Sequence, residues 1–71
     1  MNGIDLKRMR ELCGLSQMAI ANSAVVDRSM LSLAESGLRP LAPDQQGRVI
    51  KALKRALEQR AKQISAALEI A

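Results

Sequence analysis

Histidine, phenylalanine, tyrosine and tryptophan are all missing from this chain of 71 residues. Without histidine it lacks the commonest general base and metal ligand, and without aromatics it has no platforms on which single-stranded bases can stack. Its one cysteine, Cys13, permits neither an internal disulfide nor a thiolate metal cluster. No apolar run approaches membrane-spanning length, and the N-terminal MNGIDLKRMREL lacks the apolar block of a secretory signal. A cytoplasmic protein without a membrane partner is expected. No acid/base pair or metal constellation is visible, so the chain is not expected to be an enzyme or to take a metal or cofactor.

What is present suits one small domain, residues 1–71, whose marginal core makes a partner subunit a natural source of extra burial. The chain is 48% apolar and 25% charged, the balance of a folded protein rather than a disordered tail. Eleven Lys+Arg against seven Asp+Glu give a formal charge of +4, which favours polyanionic partners. That charge is concentrated. Arg48, Lys51, Lys54, Arg55, Arg60 and Lys62 face only Glu58 in their stretch, so the remainder of the chain is slightly acidic.

Taken in order, the pattern is all-α. Asn2 or Asp5 can cap a first helix through about Cys13, with Leu6, Met9 and Cys13 at helical spacing and Lys7, Arg8 and Glu11 outward. Cys13, lying in that stripe, reads as a buried, inert thiol. Gly14 ends the helix, and Ser16 is the N-cap of a second one, Gln17 to about Ser23. Asp27 caps a third, running to Glu35 or Ser36 before Gly37. Steps of about 100° place Met30, Leu31, Leu33 and Ala34 on one arc of it, with Arg28, Ser29, Ser32, Glu35 and Ser36 on the other.

Pro40 and Pro43 then enforce a loop, Pro43 being suited to a first helical position. The last helical region, 44–70, carries Ile50, Leu53, Leu57, Ala61, Ile64 and Leu68 at steps of three and four. Its first half should close the core with Val49, Ile50 and Leu53. Its second half, Leu57, Ala61, Ile64 and Leu68, is expected to form a homodimer interface, the alternative being a solvated tail.

Between Gln17 and Ser36 the apolar residues Ile20, Ala24, Val26, Leu31 and Ala34 fall where two crossed helices must face one another, and Ala21 is small enough to let them approach. LKRMRE, GLSQ followed by Ile20-Ala21, Ser32, the Glu35 to Gly37 segment ESG, and Arg39-Pro40 stand in an order and spacing that resembles the Cro/C1-type (XRE-like) helix-turn-helix family. The resemblance covers roughly Leu6 to Leu53. It implies a compact bundle of about five helices, or four with a long C-terminal one, containing a helix-turn-helix. It also implies a dimeric transcriptional regulator that binds palindromic double-stranded DNA, with half-sites about 34 Å apart.

On that resemblance Arg28, Ser29 and Ser32 face base edges in the major groove. Arg28 pairs with guanine, or else with phosphate or Asp27. Ser16, Gln17, Ser36 and Arg39 grip phosphates, with Leu38 beside the last two. Arg10 and Glu35 form a partly buried structural ion pair. Two positions depart from the family pattern. Val25 stands where the turn glycine is usual, so either the turn takes another geometry or the register is displaced by one. Ala34 stands where a larger aliphatic is usual, which thins the core unless Met30, Leu33 or the last helix fills it.

The basic run from Arg48 to Lys62 reads equally as a solvated face or as a second phosphate-binding surface. The functional expectation is a small repressor or autoregulator of a phage, plasmid or other mobile element, by analogy with such stand-alone modules. Two rivals stand beside it. One is an antitoxin whose C-terminal helix binds a protein toxin; the other is a protein-interaction module without DNA binding.

Overall fold

The computed structural model describes residues 3–70. Four helices follow one another: α1 (Gly3–Leu12), α2 (Gln17–Ala24), α3 (Arg28–Glu35) and α4 (Pro43–Ile70). The all-α expectation holds, and among the described residues the count is four with a long C-terminal helix, the second of the two arrangements expected, because nothing after Pro43 interrupts the last helix. Gly47 lies inside it, and the Ala-, Lys- and Leu-rich sequence beyond propagates without a break. At about 1.5 Å per residue α4 is roughly 42 Å long. It sets the long dimension of a molecule measuring 45 × 19 × 18 Å, so the bundle is compact only around the first half of α4.

The starts of the short helices follow their side chains. Ser16 accepts a hydrogen bond from the Ala19 N–H, and Asp27 accepts one from the Ser29 N–H at 2.7 Å. Asp5 sits inside the first turn of α1 rather than capping it, and the Asn2 cap lies outside the described residues.

The ends share one device. Gly14, Val25 and Gly37 each take a left-handed conformation, with φ of 70°, 55° and 75°. In each case the following N–H turns back on the helix: Leu15 to the Arg10 carbonyl, Val26 to the Ala21 carbonyl, Leu38 to the Leu33 carbonyl. The turn between α2 and α3 therefore keeps the glycine-type geometry even though Val25 occupies it.

Leu6, Ile20, Ala21, Val26, Leu31, Val49, Ala52 and Leu53 form the centre of the core, with Leu31 and Val49 fully buried. Ala24 and Ala34 are buried as expected, and Ile50 is packed against the core from its edge. The start of α1 approaches the backbone at Ala34, and an open cleft lined by Gly3, Leu6, Ala34 and Leu41 lies beside it. A Cβ on Gly3 would overlap the Ala34 carbonyl, so α1 lies directly on the backbone of α3 there. Cys13 is buried and unpaired. No described helix is long and apolar enough to cross a membrane.

Candidate functional site

The exposed side of α3 is short and polar. Arg28, Ser29 and Ser36 are exposed and Ser32 is half-buried, so the four lie together as the helical arc requires. Ser36 caps the helix and donates from its hydroxyl to the Ser32 carbonyl at 2.9 Å. Asp27 spends a carboxylate oxygen on the Ser29 N–H, and among the described residues Arg28 makes no ion pair with it. The guanidinium thus stands free at the N-terminal end of α3. Arg39 is exposed just beyond the other end, next to Leu38, which is 77% exposed.

Beneath this face lies the group that fixes it. Glu35 belongs by helical phase with the polar arc, yet it is only 5% exposed. Arg10 reaches it from α1 with two parallel hydrogen bonds, Nε to Oε2 at 2.9 Å and Nη2 to Oε1 at 2.8 Å. The remaining Nη1 donates to the Leu15 carbonyl at 2.8 Å. Gln17, the first residue of α2, completes the set by donating from its side-chain amide to Glu35 Oε1 at 3.1 Å.

Burial pushes the Glu35 carboxyl up, but the hydrogen bonds from Arg10 and Gln17 and the Arg10 charge outweigh it and hold the group below its ordinary value. Arg10 is correspondingly raised, chiefly by its hydrogen bond to Glu35. One carboxylate therefore joins α1, α2 and α3. The ion-pair geometry expected for Arg10 and Glu35 is present. The Gln17 side chain, expected at a phosphate, donates to Glu35 instead.

The basic run of α4 divides. Arg48 donates from Nε to the Ala24 carbonyl at 3.0 Å and from Nη2 to the Val25 carbonyl at 3.4 Å, with Asp44 steadying it one turn back. Arg60 donates to the Cys13 carbonyl at 2.9 Å. Both arginines cap helix ends that sit beside a left-handed residue, where cations are favourably placed against unpaired carbonyls. Neither role was foreseen from the sequence. The signal for Arg60 was there, because it continues the inward row Val49, Leu53, Ala56 at helical spacing. Lys51, Lys54, Arg55 and Lys62 remain exposed.

The four positions expected at a dimer interface stand uncovered: Leu57 is 37% exposed, Ile64 53% and Leu68 72%, and Ala61 is exposed with them. Comparison with protein families, with curated proteins and with solved structures yields no match.

Proposed function

We propose that the chain is a double-stranded DNA-binding module of the helix-turn-helix class, with α3 entering the major groove. More particularly, it acts as a dimeric, sequence-specific transcriptional regulator that represses by occupying a symmetric operator. The observation that carries this reading is the contrast among the arginines. Arg10, Arg48 and Arg60 are bonded within the fold; of the four arginines that, among the described residues, are not, Arg8, Arg28, Arg39 and Arg55, two, Arg28 and Arg39, stand exposed at the two ends of a small, polar helix face.

Side chains as short as Ser29, Ser32 and Ser36 let the backbone of α3 come close to a groove floor, and a free guanidinium is the group best matched to guanine. Ser16 and the α2 N-terminus on one side, with Ser36 and Arg39 on the other, suit flanking phosphates. The buried Glu35 cluster holds α2 and α3 at a set angle, which readout through so few side chains requires.

Site selection from random duplex followed by titration tests this. Arg28→Ala should cost about 1–3 kcal/mol on the selected site and relax preference at one position. Arg39→Ala should weaken all duplexes alike and reduce the salt slope by about one unit. Equal losses on selected and random duplex for both variants would remove Arg28 from base readout. Failure to enrich any site would remove the DNA reading. The antitoxin alternative shares α3 and differs only in what covers the second half of α4.

A further inference from the structure

Beyond the core, α4 presents an apolar stripe, Leu57, Ala61, Ile64 and Leu68, that nothing in the described chain covers. It is not a leftover of the core contact. The inward row, Val49, Leu53, Ala56 and Arg60, and this stripe are centred roughly a quarter turn apart on the helix. The stripe faces a direction of its own, and Ile50, half-buried, extends it toward the core.

We propose that this stripe binds a second copy of the chain, antiparallel, about a two-fold axis crossing α4 between Lys62 and Gln63. The four residues are spaced four, three and four apart, the seam of a paired helix. With the axis there, Leu57 meets Leu68 of the second copy and small Ala61 receives branched Ile64, so each layer joins side chains that fill it. Parallel pairing would instead set Ala61 on its own copy between two bulky layers and leave a gap.

The charges agree. Lys54 occupies the next seam position, where a parallel mate would oppose it with another Lys54. In the antiparallel arrangement it passes the end of the seam near Glu69 of the second copy, while Glu58 faces Ser65 and Arg60 faces Ala67. No like charges meet. A foreign partner would call for none of this self-complementarity.

The seam is only about three turns long, below the roughly 800 Å² per partner of a standard interface, so a weak dimer, with a dissociation constant on the order of micromolar, is expected. Sedimentation equilibrium without DNA tests it, independently of the reading of α3. The full chain should be dimeric at about a hundred micromolar, and Ile64→Lys, at a half-exposed position, should raise the dissociation constant at least about 100-fold while circular dichroism stays helical.

In a Cys13→Ala background, Ala61→Cys mixed with Ile64→Cys should cross-link between chains on oxidation, whereas each alone should not. A chain that stays monomeric at several hundred micromolar, or an Ile64→Lys dimer of unchanged affinity, overturns the interface and gives the stripe to another protein. Self-cross-linking of Ala61→Cys overturns the antiparallel register.

Discussion

Val25 holds a left-handed conformation that a β-branched residue adopts at a cost of about 1–2 kcal/mol. Its side chain is 79% exposed, so little packing offsets the strain. Glycine would relieve it and lose about 0.5–1 kcal/mol to the greater freedom of the unfolded chain. Strain wins by these magnitudes, and Val25→Gly should raise stability by up to about 1 kcal/mol, read as a higher urea midpoint with unchanged slope.

Glu35 points the other way. Its carboxyl is held below its ordinary value, so its contribution is complete above about pH 4.5 and is lost as pH falls through the lower folded value. Unfolding measured from pH 7 down to pH 3 should show that loss, and Glu35→Gln should flatten it. Arg10→Ala leaves a buried carboxylate without its cation, a change of about 3–5 kcal/mol. For a domain this small, whose whole stability is of the order of 5 kcal/mol, that variant should be largely unfolded by circular dichroism at pH 7.

Among the elements, the three short helices were the most legible. Ser16, Asp27, Gly14 and Gly37 mark their ends by local chemistry alone, and local chemistry is what a sequence shows directly. Contacts between elements were less so. Glu35 lies on a polar arc by phase and is buried because α1 and α2 close over it; phase knows nothing of neighbours. The left-handed Val25 is imposed by the packing of α2 on α3, against the residue's own preference. Gly3 against Ala34 is likewise a property of two helices meeting.

The same limit hid the two arginines of α4, which read from sequence as a solvated face or a phosphate-binding surface, because their partners are the ends of α1 and α2. Each capping bond to a partly exposed carbonyl should contribute about 1 kcal/mol. Arg60→Ala should therefore lower stability by about that much in denaturant unfolding, while Lys62→Ala, exposed two residues on, should stay within about 0.5 kcal/mol. Equal effects would mean that Arg60 acts only as surface charge. Truncation after Leu57 is a poorer probe of the interface for the same reason, since it removes the α1 cap along with the stripe.

For the molecule as a whole, the length of α4 becomes a ruler. The core surrounds Val49 to Leu53, and the inferred axis crosses between Lys62 and Gln63, so at about 1.5 Å per residue two cores stand roughly 35 Å apart along the paired helices. That separation, taken between cores and not between the two copies of α3, is of the same size as the roughly 34 Å between half-sites one duplex turn apart. On the DNA-binding reading, the distal half of α4 thus sets operator spacing while α3 sets operator sequence.

Sites selected by the full chain should be palindromes with half-site centres about one turn apart, and inserting about five base pairs, which rotates one half-site by roughly 180°, should abolish the gain from the second half-site. Ile64→Lys should retain the half-site preference but lose the spacing requirement, because its two cores are no longer joined. Full spacing dependence in that variant would mean that the copies meet through some face other than α4.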